Sequence, residues 1–237
     1  MSMKPCKKLP ACYAPFAVED GRIRNGHMDP IIHALDVIGT AVFAVTGALA
    51  AGRKRMDVFG VVVLGCVTAL GGGTMRDLIL GIRPVFWITE TPYLAVAVLA
   101  SAGTYLLGRR FRFPDGLLVH LDAVGLAVFT VVGFQRGLHT THNPFIAIVM
   151  GMTTGVAGGM IRDILSAEMP LILQREIYAS ASLCGAALLA ALSQLKVPPL
   201  AAVPASAAVT LAIRLVAVRW KLSLPVFSLR EYPGDGK

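Results

Sequence analysis

Apolar stretches long enough to cross a bilayer recur along almost the whole 237-residue chain, and they restrict its fold before any other feature does. About 30 Å of hydrocarbon at 1.5 Å per residue needs roughly 17 to 25 residues of helix. Seven spans are read: Ile31 to Gly52, Val58 to Gly81, Tyr93 to Gly108, Gly116 to Phe134, Pro144 to Ala167, Ile172 to Leu195 and Pro199 to Val218. With 55% hydrophobic and 15% charged side chains and a mean hydropathy of +0.68, water is not the main solvent of this chain. The expected fold is an all-α membrane protein of seven transmembrane helices.

The connections between spans are short and hold the charges and turn residues of loops, as in Arg53-Lys54-Arg55, Arg109-Arg110-Phe111-Arg112-Phe113-Pro114 and Lys196-Val197-Pro198. A net charge of +8 points to topology rather than to nucleic acid, because the basic residues flank apolar spans instead of forming one amphipathic surface. The loops after the first and third spans hold three Arg or Lys each, and Arg219, Lys221, Arg230 and Lys237 follow the seventh. The positive-inside rule makes those segments cytoplasmic. A multi-pass protein of the cell (inner) membrane is expected, with the amino terminus outside and the carboxyl terminus in the cytoplasm. Lys4, Lys7, Lys8, Arg22 and Arg24 in the amino-terminal tail pull against this orientation.

Residues 1–27 read as a mobile polar tail without a signal-peptide core. Cys6 and Cys12 fall in that tail, and Cys66 and Cys184 fall within spans, where they are expected to pack as small apolar residues. Arg214 and Arg219 near the end of the last span are expected to snorkel. The small residues from Ala201 to Ala208 predict close packing against another helix or subunit.

The chain also matches itself when shifted by 86 residues, the separation of Asp36 from Asp122. Gly39 then falls on Gly125, Phe43 on Phe129, Gly47 on Gly133, Phe59 on Phe145, Gly65 on Gly151 and Thr68 on Thr154. The register continues through Gly72 on Gly158, Gly73 on Gly159, Arg76 on Arg162, Asp77 on Asp163 and Pro84 on Pro170. Chance likeness between apolar helices matches Leu with Val, not Arg, Asp and Pro. Each copy holds three spans, so the second enters the bilayer from the opposite side. The organisation expected is a repeat over 28–115, an inverted repeat over 116–197, a seventh helix over 198–220 and a tail over 221–237. Inverted repeats place an ion or substrate path at their interface near the midplane.

Within the repeats, Ala69-Leu70-Gly71-Gly72-Gly73-Thr74-Met75-Arg76-Asp77 is answered by Gly155-Val156-Ala157-Gly158-Gly159-Met160-Ile161-Arg162-Asp163. Two readings of the glycines stand open. They break each span into half-helices whose freed carbonyls attract cations, or they let helices pack closely. Intramembrane charges need partners. Similar depth predicts ion pairs between Asp36 and Arg76 and between Asp122 and Arg162, acting as a gate toward each face or as structural staples. Asp77 and Asp163 are expected to point away from their neighbouring arginines, toward the path. Four aspartates against two arginines give a formal balance of minus two, which favours cations. His33 and His120 read as packing residues.

These paired elements, the inverted three-helix repeats and the seventh helix resemble the prokaryotic trimeric intracellular cation (TRIC) channel family over roughly Met28 to Trp220. The resemblance implies a homotrimer in lipid, each subunit with its own pore for monovalent cations, chiefly potassium. It implies a path lined by Gly71, Gly72, Gly73, Arg76, Asp77, Gly158, Gly159, Arg162 and Asp163, with Asp36 and Asp122 in support. Ala157 in place of Gly71 and Met160 in place of Thr74 mean that the halves cannot offer identical polar groups. No cofactor is expected beyond permeant potassium or sodium. A secondary transporter of a small amino acid such as glycine is the alternative, and a non-conducting scaffold a third reading. An enzyme is not expected, because no nucleophile and base pair, metal-ligand cluster or P-loop ending is found.

Overall fold

The protein is described by a computed structural model that covers residues 30–114, 116–173, 177–220 and 222. The tail over 1–27, with Cys6 and Cys12, and nearly all of 221–237 lie outside the described residues. Eight helices are formed among those described: α1 Pro30–Arg53, α2 Val58–Leu80, α3 Phe86–Thr89, α4 Pro92–Arg110, α5 Leu117–Thr141, α6 Pro144–Leu165, α7 Ala179–Gln194 and α8 Pro199–Trp220. By length and composition α1, α2, α5, α6 and α8 suffice to cross a membrane, and α7 is a shorter apolar helix.

Local chemistry sets the helix ends. Asp57 caps α2, its carboxylate accepting from the Gly60 N–H at 2.7 Å. Gly81 closes the same helix in the left-handed region at φ 70°. Asn143 accepts from Phe145 N–H at 2.9 Å, with Pro144 at the first helical position of α6. Two boundaries differ from expectation. Helix α5 runs past Phe134 to Thr141, because Gln135 and Arg136 are good helix formers and Arg136 finds a polar environment inside the protein. Helix α7 starts only at Ala179 rather than near Ile172, since Leu171 to Leu173 turn back toward α6 to meet Asp163.

Helices α2 and α6 cross at their glycines. A Cβ on Gly72 would collide with the Thr154 carbonyl oxygen, and one on Gly158 would stand 2.6 Å from the Thr68 carbonyl oxygen. The contacts are reciprocal, since Thr154 and Gly158 are the counterparts of Thr68 and Gly72. The same reciprocity joins α1 to α5: a Cβ on Gly39 would meet the Phe129 ring at 3.2 Å, and one on Gly125 would run into the Phe43 ring. Phe43 and Phe129 touch each other with ring centroids 5.0 Å apart.

Of the two readings of the glycines, the one with half-helices is not realised. Helix α2 is continuous through Gly71, Gly72 and Gly73, and α6 through Ala157, Gly158 and Gly159. The glycines serve close approach instead: in lipid, helices associate through van der Waals packing, and removing a Cβ is what lets two backbones touch. Carbonyls inside a continuous helix are taken up by its own N–H groups, so they are not free to hold an ion.

The small-residue stretch of α8 packs on α7. Ser206 donates to the Gly185 carbonyl at 2.8 Å, and a Cβ on Gly185 would overlap the Thr210 hydroxyl. Cys66 is half-buried on α2, and Cys184 is exposed on α7.

Candidate functional site

Two buried clusters of arginine and aspartate stand at opposite ends of the α2 and α6 crossing. At the end of α2, Arg76 is wrapped onto its own neighbour, its Nε donating to Asp77 Oδ1 at 2.8 Å. The other oxygen of Asp77 accepts from the Phe86 backbone N–H at 2.9 Å. Phe86 lies under the guanidinium at 5.5 Å from its centroid and fills the space left by Gly73, where a Cβ would come within 2.5 Å of the ring. Trp87 closes the same face by donating to Thr74 Oγ1 at 3.1 Å.

The end of α6 repeats the arrangement. Arg162 Nε donates to Asp163 Oδ1 at 2.9 Å, and Asp163 Oδ2 accepts from the Leu171 N–H at 3.0 Å. Both aspartates therefore turn back onto the arginine beside them and pin the chain that follows the helix, rather than pointing away as expected. A long arginine side chain can curl to its neighbour's carboxylate even though adjacent helical positions diverge.

The two predicted cross-helix pairs divide. Asp122 and Arg162 meet at 2.7 Å, both fully buried. Asp36 does not form the counterpart bond. Its Oδ2 accepts from the Tyr93 hydroxyl at 3.3 Å, and the ion pair of Arg76 runs to Asp77. A second arginine explains the difference: Arg136 of α5 lies within electrostatic reach of Asp36, Asp77 and Arg76, and its buried Nε has no hydrogen-bond partner among the described residues. Its counterpart in the first half is Ala50, so the other cluster has no such group.

Where Arg136 fills one end, Ala50 leaves space at the other. A cavity of about 240 Å³ opens there, lined by Ala50, Arg162, Asp163 and Ser166, with Lys54 and Glu168 among its exposed residues. Lys54 Nζ and Glu168 Oε1 are in direct contact across it, and the Lys54 ammonium holds the Glu168 carboxyl below the usual carboxylate range. Among the described residues Ser166 Oγ is buried without a hydrogen-bond partner, and the Tyr178 hydroxyl stands beside the Asp122 carboxylate.

Arg214 does not snorkel. It is fully buried, its guanidinium 4.8 Å over the Tyr178 ring, whereas Arg219 is exposed at the end of α8 as expected. Counting Arg136 and Arg214 with the other buried charges, four arginines balance four aspartates. The expected excess of two negative charges is therefore absent. His33 bonds the Tyr93 hydroxyl at 3.1 Å, and His120 the Gly116 carbonyl at 2.7 Å.

The structure brings Arg76, Asp77 and Asp36 to one end and Arg162, Asp163 and Asp122 to the other, and it adds Tyr93, Tyr178 and Arg136, which sequence reasoning missed. The tyrosines are separated by 85 rather than 86 positions, as are Phe86 and Leu171, whose N–H groups serve the two aspartates. One residue is lost after Pro170, and a register allowed to slip there reveals both. Arg136 carries no repeat signal at all.

The family model described as Glycine transporter matches residues 33–109 and 119–194. The UPF0126 inner membrane protein YadS of Escherichia coli is 49% identical over 203 residues, 85% of this chain and 98% of that one. A UPF0126 membrane protein of Vibrio cholerae is 46% identical, covering 85% of this chain and 84% of its own. Among solved structures, a TRIC trimeric intracellular cation channel orthologue from Rhodobacter sphaeroides superposes with a TM-score of 0.79 at 43% identity, over 82% of this chain and 100% of that one. A structure described as the basis for conductance through TRIC cation channels superposes at 0.76 and 38% identity, over 84% and 98%. With its two Arg-Asp clusters on either side of a glycine crossing, the chain belongs to the prokaryotic TRIC channel family.

Proposed function

We propose that the protein passes monovalent cations, mainly potassium, along a path inside each subunit between two inverted three-helix repeats. The observation that carries this reading is the reciprocal α2 and α6 crossing, with one Arg-Asp cluster at either end, in a chain 43% identical to a TRIC cation channel structure. The seven spans, the homotrimer and the inner-membrane orientation with the amino terminus outside belong to the same proposal. The Lys54 to Glu168 contact supports its topology, because it puts the ends of α1 and α6 on one side.

In this reading Gly71, Gly72, Gly73, Gly158 and Gly159 mark the narrow point. The path opens when α2 and α6 part there, and Arg76, Asp77, Arg162 and Asp163 set the field on either side. Side-chain oxygens rather than freed helix carbonyls meet the ion. Single-channel recording of the purified protein under asymmetric potassium and sodium tests the proposal: unitary cation currents support it, and their absence across the voltage range defeats it.

A carrier of a small amino acid such as glycine is the second reading. It is favoured by the description of the matching family model and by a cavity that combines Arg162, Ser166 and Asp163. Saturable glycine uptake and counterflow in proteoliposomes, without unitary currents, would select it.

A further inference from the structure

We propose that Asp36 is a proton-binding site, reached from the aqueous surface through His33 and Tyr93. The three residues form one connected chain. His33 and Glu90 stand at the surface, with side chains 48% and 39% exposed and 3.6 Å apart. His33 Nδ1 bonds the Tyr93 hydroxyl at 3.1 Å, and that hydroxyl donates to Asp36 Oδ2 at 3.3 Å. Asp36 is 1% exposed, so the tyrosine is its link to water.

The other buried carboxylates differ. Among the described residues the buried ion pairs run to Asp77, Asp122 and Asp163, each held by a guanidinium at 2.7 to 2.8 Å. Such contact is a charge-assisted hydrogen bond to the carboxylate. Asp36 accepts instead from a neutral phenol, and isolated charge away from water is costly unless paired. The groups that face it are Tyr93 from α4, Arg76 and Asp77 from α2, and Arg136 from α5. Both Arg76 and Arg136 are shared with Asp77, so neither belongs to Asp36 alone.

The other half cannot do the same. The counterpart of His33 is Val119, which carries no proton, and Asp122 is bound directly by the Arg162 guanidinium at 2.7 Å. The relay is thus specific to one end of the molecule. Histidine next to buried acids is a recurring device for moving protons into membrane proteins.

The transfer balances in one concerted step. Tyr93 passes its hydroxyl proton to Asp36 Oδ2 while taking the Nδ1 proton of an imidazolium at His33, which leaves a neutral imidazole, an intact phenol and a neutral carboxylic acid. His33 is recharged from water, with Glu90 holding the imidazolium. When Asp36 is ionised, two arginines and two aspartates balance at this end. When it is protonated the end gains one positive charge, which, on the cation-path reading, opposes cation entry.

Infrared difference spectroscopy of the full chain reconstituted in lipid tests the site without any ion gradient, so its result does not depend on whether the protein conducts. The carbonyl stretch of a protonated carboxylic acid is followed while bulk pH is changed. A titrating band that is lost in Asp36→Asn and displaced in frequency in Asp36→Glu supports the assignment. A band unaltered by both substitutions, or no titrating band in the natural chain, overturns it. After a pH jump, Tyr93→Phe and His33→Gln should retain the band but slow its appearance by about a hundredfold, the low end of what a positioned proton donor contributes. Unchanged rates in both variants would overturn the route.

Discussion

Gly158 lies so close to the backbone of Thr68 that an added Cβ would stand 2.6 Å from its carbonyl oxygen. Its counterpart Gly72 is tighter still against Thr154. Backbone cannot move aside as the end of a flexible side chain can, so even one methyl group must push α2 and α6 apart. Gly72→Ala and Gly158→Ala should each destabilise the folded protein by about 1 to 3 kcal/mol, the range for overpacking. Thermal melting in detergent checks this. Gly52, whose Cβ would meet nothing within 4 Å, supplies the control, and Gly52→Ala should melt with or above the natural chain.

The two cross-helix aspartates should respond unequally. Asp122 is bonded to Arg162 at 2.7 Å with both groups fully buried, and removing one partner of a buried pair costs about 3 to 5 kcal/mol because it strands the other charge. Asp163 still holds Arg162, so Asp122→Asn should fall near the lower end. Asp36 accepts a 3.3 Å bond from Tyr93 and shares both arginines that face it with Asp77, so Asp36→Asn should cost less, about 1 kcal/mol. Equal losses in the two melting curves would contradict the asymmetry between the clusters.

Much of this was readable in the sequence. Apolar stretches gave the helices, and the 86-residue self-match put Arg76 and Arg162, and Asp77 and Asp163, into equivalent places. Helical periodicity could not say where Arg76 turns, because a flexible side chain can reach its neighbour's carboxylate as readily as one on α1. The glycines misled for a related reason: absence of a Cβ permits both a bend and a close approach, and only the presence of Thr154 and Thr68 at the crossing decides between them. Arg136 was invisible because it departs from the repeat. The asymmetry it creates with Ala50 is nevertheless what separates the filled end of the molecule from the open one.

Arg214 shows how position alone misjudges a charge near a helix end. It lies fully buried with its guanidinium 4.8 Å over Tyr178, and a desolvated cation over an aromatic face is worth about 2 kcal/mol or more. Arg214→Ala should therefore lower stability by roughly that amount. Arg219→Ala, at an exposed position, should stay within about 0.5 kcal/mol. Tyr178→Phe preserves the ring and should keep most of the Arg214 contribution, whereas Tyr178→Ala should remove it, so a double-substitution cycle on 178 and 214 isolates the coupling.

The contact between Lys54 and Glu168 ties the turn after α1 to the exit of α6, and it spans a cavity that reaches Arg162 and Ser166. Because the Lys54 hydrogen bond and charge hold the Glu168 carboxyl below its ordinary range, the sign of its pH dependence follows. The tie is fully present above the unfolded glutamate value of about 4.3 and is lost as pH falls through the lower folded value. Both groups are largely solvent-exposed, so the effect on global stability is small and local opening is the quantity to follow. Hydrogen exchange of the amides from Ile164 to Glu168, corrected for the intrinsic pH dependence, should speed up in the natural chain as the solution is acidified. Glu168→Gln should exchange faster already at neutral pH and lose the acid-dependent increase. Protection that is the same in both chains at neutral pH would mean that the Lys54 to Glu168 contact does not hold this end closed.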